Sequence, residues 1–264
     1  MSHRAYTKRT HSVHTHVIQR PAAGAAMLTL LVAIGLTAKP AFGQSADTFT
    51  LPSGCWAWVT VQAADCTVEH NFVCEGDPEG YKQRVILDEE GMVYLGTTDD
   101  ESQWLNSFHP RSAHSEQLEP EPRDRASFTE LLENGVDTYD FRTISPELGV
   151  TRFVGQDTLT GRTVVIDGVE LEETQFNITA YNQDGDEIWS SEGNEYIHRD
   201  WRIFQAGPST VTLPDESYQE DDSPVEYMFP GDPGFLSVNP KHGCGLTMSN
   251  SPVTALEEFL NVDL

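Results

Sequence analysis

The side chains of this 264-residue chain that could do chemistry are four cysteines, a scatter of histidines and a large excess of carboxylates. His109-x4-His114 could hold a metal, but it sits in a proline-rich stretch without the H-E-x-x-H frame that sets two zinc ligands on one helix face. His198-Arg199-Asp200 could supply a base and its orienting carboxylate, with Ser190 or Ser191 as nucleophile. No G-x-S-x-G elbow accompanies them, and a chain of this length carries Ser, His and Asp by chance. His242-Gly243-Cys244 suggests an activated thiol, and His70 has no chemical neighbour in sequence. Paired acids such as Glu172-Glu173 and Asp221-Asp222 point to opposite faces of a strand, so they read as solvated surface. Asn182-Gln183-Asp184-Gly185-Asp186 resembles the start of a calcium loop. An EF-hand begun at Asn182 needs Gly sixth and Glu twelfth, where Glu187 and Gly193 stand, so a hairpin turn is the better reading. Asn177-Ile178-Thr179 is a glycosylation sequon, relevant only to a eukaryotic secretory route. Trp104, Trp189, Trp201 and Phe204 read as core before they read as a sugar-stacking platform. The sequence therefore assigns no catalytic residue, no metal ligand and no cofactor.

Charge and targeting narrow the classes. Residues 1–43 hold five bases (Arg4, Lys8, Arg9, Arg20, Lys39) and no acid, followed by an apolar run over 22–38 and small residues Ala41 and Gly43. A basic start, an apolar centre and a small-x-small site make a secretory signal cleaved before Gln44. The run is short for a spanning helix. Pro52-Ser53-Gly54-Cys55 departs from a lipoprotein site, and Lys8-Arg9 is not a twin-arginine pair. After cleavage 42 acids face 11 bases, since five of the 16 bases are lost, and the formal charge moves from -26 to -31. Such a surface repels nucleic acid and anionic lipid and attracts cations. The expected location is periplasmic or extracellular.

An even number of cysteines in an exported chain reads as disulfides. Segments 56–61 and 67–73 are β-branched and aromatic. If they form a hairpin turning at Ala64-Asp65, Cys55 faces Cys74, and Cys66 is left for Cys244. Linking Cys66 to Cys74 would need a turn inside 67–73, because eight extended residues span roughly 26 Å. Ala-Asp is not a favoured two-residue turn.

These residues must be positioned by a sheet. Turn signals cut 55–98 into short strands, and 109–125, with three prolines and no apolar periodicity, reads as an acidic linker or loop. Ser127, Glu130 and Gly135 bracket one short helix over 127–134. Candidate strands follow at 137–144, 150–158, 162–166, 169–181, 186–191 and 195–206, separated by Thr160-Gly161, Asp167-Gly168, Asp184-Gly185 and Gly193-Asn194 among others. The expected division is a signal peptide (1–43), a disulfide-stapled β region (44–108), the linker (109–125), an antiparallel β domain (126–249) and a tail or short helix (250–264).

Asp167–Val169, Phe176–Tyr181, Ser191–Ile197 and Asp200–Arg202 carry a DGV hairpin, an F-x-I-T-A-Y strand and an S-E-G-N-E-Y-I…D-W-R stretch. Over 150–206 the chain thereby resembles uncharacterised exported β-rich bacterial proteins of unknown function. The resemblance implies export and a β-rich fold and brings no site residues.

The sequence thus predicts a mainly β protein, an antiparallel meander curved into a barrel or half-barrel with one short helix and a small N-terminal hairpin region. Phe176, Ile178 and Ala180 share one face of a strand and are the expected lining of a concave apolar face. The expected function is non-enzymatic, the binding of a small or apolar ligand or an envelope accessory role. The alternative is a secreted hydrolase acting on glycans or esters through carboxylates that the sequence does not locate.

Overall fold

The computed structural model describes residues 48–245. The expected signal segment and the expected tail or short helix lie outside them. Short alternating segments punctuated by Gly and Asp give β1 (Cys55–Ala63), β2 (Val68–Cys74), β3 (Lys82–Asp88), β4 (Gly91–Thr98), β5 (Trp104–His109) and β6 (His114–Leu118). The helix α1 (Phe128–Asn134) leads into β7 (Val136–Ser145), β8 (Gly149–Ile166), β9 (Val169–Tyr181), β10 (Glu187–His198), β11 (Ile203–Thr212), β12 (Ser217–Asp221) and β13 (Pro224–Met228). All thirteen strands join one antiparallel sheet.

The topology itself shows how strongly the sheet curves. Strands β1 to β12 pair with their sequence neighbours, while β13 pairs with β1, so β12 and β13 are opposite edges. Only Asp222 and Ser223 separate them in the chain. A link of that length spans roughly 10 Å, so the sheet must roll until its edges approach. No ladder joins β12 to β13, and the roll stays an open half-barrel. Inside it Val59 and Val61 of β1 pack on Val169 and Leu171 of β9 and Tyr227 of β13.

The first hairpin reconciles its two disulfides with an unfavoured turn. Cys55 pairs with Cys74 and Ala57 with Phe72, but past a bulge at Trp58 the partner of Val59 is Asn71. That one-residue shift makes the turn three residues long, with Ala63 N–H donating to Thr67 O (3.0 Å) and Cys66 left-handed at φ 66°. The Thr67 hydroxyl donates to Asp65 Oδ1 (2.6 Å). Cys55–Cys74 closes the open end of the hairpin and Cys66–Cys244 ties its turn to the chain's end. Gly243 is required there, since a Cβ would lie 2.0 Å from Ala64 O.

The segment after β13 returns over the outer face of β1 and β2. Gln62 receives Lys241 N–H at Oε1 (2.9 Å) and donates to Asn239 O (3.0 Å), and Leu236 N–H donates to the Thr60 hydroxyl (2.9 Å). Beneath this strap Phe235, Leu236 and Val238, with Phe49 and Leu51, cover Ala57, Val68, Phe72, Val85 and Leu87. β1 is therefore buried on both faces.

The helix forms as its caps dictate. Ser127 Oγ accepts from Glu130 N–H (3.2 Å), and Gly135 ends the helix at φ 77°. Its Phe128 and Leu131 pack on Ile197 and Phe204. Asp167-Gly168 is the expected tight turn, both residues having positive φ, between paired Ile166 and Val169.

Three segments differ from expectation. Thr160-Gly161 lies inside β8 as an irregularity between Leu159 and Thr163, because β9 is long enough to pair with both halves. Gly193-Asn194 lies inside β10, where the missing Cβ admits Pro208 O of β11, and the turn falls later, at Arg199–Arg202. The stretch 109–125 is not a linker in its first half. His114–Leu118 is β6, paired with β5 and β7, so one sheet runs through both of the expected β regions. Its lack of apolar periodicity reflects an inner face that brings polar side chains to the cleft.

Candidate functional site

The concave face opens into a cleft of about 640 Å³. The β5–β6 hairpin forms one wall. Alternation places Ser107 and His109 on one face of β5, and His114 and Glu116 follow on β6. The register sets Ser107 opposite Glu116 and His109 opposite His114, so all four project together. The two imidazoles stack with centroids 4.4 Å apart and planes 6° from parallel, and Tyr94 meets His109 edge-on at 5.3 Å.

Hydrogen bonds hold this group from behind. Ser112 Oγ lies 2.7 Å from His114 Nδ1, and the Thr143 hydroxyl donates to Glu116 Oε1 (2.9 Å). Ser107 Oγ is 3.2 Å from His109 Nε2 and also donates to Glu116 Oε2 (3.2 Å), which lies 3.7 Å from the same Nε2. Burial, then the neighbouring His109, holds the His114 imidazole below its ordinary pKa. Glu116 is held below the usual carboxylate range; burial opposes this, and the nearby His109 ring and the Thr143 hydrogen bond outweigh it.

An aromatic group completes the lining. Trp104, 39% exposed, meets Phe141 and Phe153 edge-on at 5.6 and 5.4 Å, and Phe153 packs on Trp189 at 6.1 Å. Arg84 lies 5.5 Å from the Tyr94 ring centre, and Arg111 bridges Asp88 at the rim.

Further along the inner face lies a buried acid group apart from the cleft lining. Burial, then Glu195, pushes the Asp157 carboxyl up; burial also raises Glu195, against the pull of Arg84. Asp137 is raised to about 6 by burial, although Ser127 N–H donates to its Oδ2 (2.9 Å), and its Oδ1 has no partner.

Phe176, Ile178 and Ala180 share one face as expected, but Ile178 and Ala180 are packed against Tyr139, Phe141 and Phe153 and Phe176 lies against that cluster. Phe153, the partner of Ala180 across the ladder, reaches the cleft instead. His198 stacks on Trp201 at 4.0 Å, and its Nδ1 accepts from Trp201 N–H (3.3 Å). Ser190 and Ser191 lie back along β10, roughly 23 Å away at 3.3 Å per residue, so no triad forms there. Asn182 Oδ1 accepts from Asp184 and Asp186 N–H, the turn preferred over a calcium loop. Cys66, Glu89 and Cys244 cluster, but both sulfurs belong to the disulfide.

His109 and His114 stand on paired strands rather than in the expected loop, and Ser107 and Glu116, which carry no motif, join them. The available signal was S-x-H, a four-residue loop, then H-x-E, which is a hairpin with four polar side chains on one face. No protein-family model, curated protein or solved structure matches the chain.

Proposed function

We propose that this chain is an exported, non-enzymatic binding protein whose cleft takes a small ligand with an apolar or aromatic body. The observation that carries this reading is the cleft, about 640 Å³ on the concave face, lined by the aromatic rings of Trp104, Phe153 and Trp189 and by the polar side chains of Ser107, His109, His114 and Glu116. Its volume is that of a small-molecule site, largely apolar with a few convergent polar groups. The two disulfides fit an oxidising compartment, and the basic, apolar, small-residue pattern of residues 1–43 supports export to the periplasm or beyond. Among the described residues no helix is long and apolar enough to cross a membrane. The acidic surface disfavours nucleic acid as a partner.

The rival reading, a hydrolase of esters or glycans, has less support. A serine relay needs the acid on the second nitrogen of its histidine, whereas Ser107 and Glu116 both approach His109 Nε2. The raised carboxyls of Asp157 and Glu195 lie outside the cleft lining.

Titration with a neutral apolar dye such as Nile red tests the reading. Saturable binding is expected, weakened about tenfold by Trp104→Ala or Trp189→Ala, one decade being about 1.4 kcal/mol. Model esters and glycosides should be hydrolysed at background rate. Absence of saturable binding, or turnover abolished by His109→Ala, would reject the proposal.

A further inference from the structure

Two imidazoles and a carboxylate converge on the cleft wall, and we propose that His109, His114 and Glu116 bind one divalent first-row transition ion of the zinc or copper(II) class. One ligand atom from each lies within 4.8 Å of the others, with His109 Nε2 already 3.7 Å from Glu116 Oε2. In a tetrahedral zinc site with ligands at 2.0–2.2 Å, neighbouring donors stand about 3.4 Å apart. Closing that difference, at most about 1.4 Å, requires the two rings to rotate out of their parallel stack, since an ion lies in the plane of each imidazole that binds it. The hairpin register supplies the frame that the sequence lacked. Cross-strand His109 and His114 replace the two histidines that a helix would present four residues apart, and Glu116 adds the third ligand from the next inward position.

Hydrogen bonds hold the far atom of two of the three ligands. Ser112 engages His114 Nδ1, which leaves Nε2 free of hydrogen bonds, and Thr143 holds Glu116 Oε1, which leaves Oε2 toward His109. Such outer contacts set ring and carboxylate orientation in metal sites. Ser107 Oγ would swing away from His109 Nε2 as the ion enters. Two nitrogens and one oxygen suit zinc or copper(II), whereas calcium and magnesium demand shells of oxygen. Three protein ligands leave a further coordination position, and the cleft lies in front of it. The strongly acidic chain raises the local cation concentration. This inference goes beyond the binding proposal and does not rest on it.

The test uses the full chain, stripped with a chelator and titrated with Zn²⁺ against a chromophoric competitor in the absence of any organic ligand. One site is expected whose affinity falls at least about tenfold in His114→Ala and in Glu116→Gln, and about tenfold in Thr143→Val. Co²⁺ should give visible absorption bands that vanish in the first two variants. Glu116→Gln keeps the side-chain shape, so it decides the matter if His114→Ala fails to fold. Residues 1–43 contain His3, His11, His14 and His16, and replacing all four should leave the site's affinity unchanged. The proposal is overturned if wild type shows no saturable uptake, if Glu116→Gln binds as wild type does, or if the site disappears only with the four N-terminal histidines. Dye binding by the metal-free chain is read separately, so either proposal can fail alone.

Discussion

The outer face of β1–β2 and the inner face of β5–β8 belong to one sheet and are treated in opposite ways. On the outer face the chain's own end returns as a cover, with Phe235, Leu236 and Val238 over Phe72 and Val85, and the buried Gln62 amide bonded at both ends. On the inner face, among the described residues, Trp104 stays 39% exposed and His109 half-buried beside the buried His114, and a volume large enough for a small molecule remains. The first arrangement uses polar groups to fasten a strap. The second leaves hydrogen-bonded polar groups and the ring of Trp104 at an open cleft, where burying that ring against a ligand would be favourable. A face that the chain covers is structural, and a face it leaves open is available for function.

The largest expected effect lies at the strap. Cys66–Cys244 closes a loop of 178 residues and Cys55–Cys74 one of 19, so the chain-entropy relation gives about 5 kcal/mol for the first and about 3 kcal/mol for the second. Denaturant midpoints of the two double-alanine variants measure this order. A greater loss from the Cys55–Cys74 pair would break the view of the strap as the main fastening.

Next in size is a matched pair of truncations. Phe72→Ala beneath the strap should cost about 3–5 kcal/mol, as for other buried aromatics, because Phe72 is 3% exposed. Trp104→Ala in the cleft should cost under about 1 kcal/mol and weaken dye binding about tenfold. Equal costs in urea unfolding would erase the distinction between the faces.

A smaller effect concerns pH. His70, held at about 4 by burial, and the lowered His114 and His198 give up stability only as pH falls below the ordinary histidine range of about 6.5. Lowered acids such as Asp140, bonded to Arg152, act below about 4.5. Between pH 6.5 and 9 the acting groups are the raised acids Asp157, Glu195 and Asp222, the last pushed to about 8 mainly by burial. Folded, they keep protons that the unfolded chain has lost, so stability falls as pH rises through this window. The melting temperature should drop by several degrees, at about 2–4 °C per kcal/mol, and Asp157→Asn should remove about half of the slope. A flat profile would show that the inner acids are solvated.

The smallest effect is expected at the turn after β10. Asp200 is exposed, and Asp200→Ala should change stability by under about 0.5 kcal/mol, with dye binding unaltered. A large loss of biological activity in the still-folded His198→Ala/Asp200→Ala pair would restore the hydrolase.

Local features were legible where the decision is local. Ser127, Glu130 and Gly135 contain the whole of a capped helix, and Asp167-Gly168 contains a turn, since caps and tight turns are settled by the φ preferences and hydrogen bonds of a few residues. Counting outward from a two-residue Ala64-Asp65 turn sets Cys55 opposite Cys74, whereas the three-residue turn that forms would alone set it opposite Glu75, and the bulge restores the pairing. The bulge, at Trp58, was not legible, because it arises from fitting a three-residue turn to that disulfide. Gly161 and Gly193 misled for the opposite reason. Their neighbours pair across long strands, and that pairing overrides a local break signal.

The sequence by itself determined the antiparallel meander, the capped helix and the cysteine pairing, because alternation, turn chemistry and chain reach act over a few residues or follow from elimination. Tertiary structure decided the rest. That β13 returns to β1 rather than extending from β12, and so rolls the sheet, depends on which edge the last strand meets. That Phe153, Trp104 and Trp189 meet at the cleft while Ile178 and Ala180 are packed away depends on where the roll is tight and where it opens. His109, His114 and Glu116 became one group only when β5 and β6 took the register that sets Ser107 opposite Glu116, a pairing fixed by the whole sheet on either side.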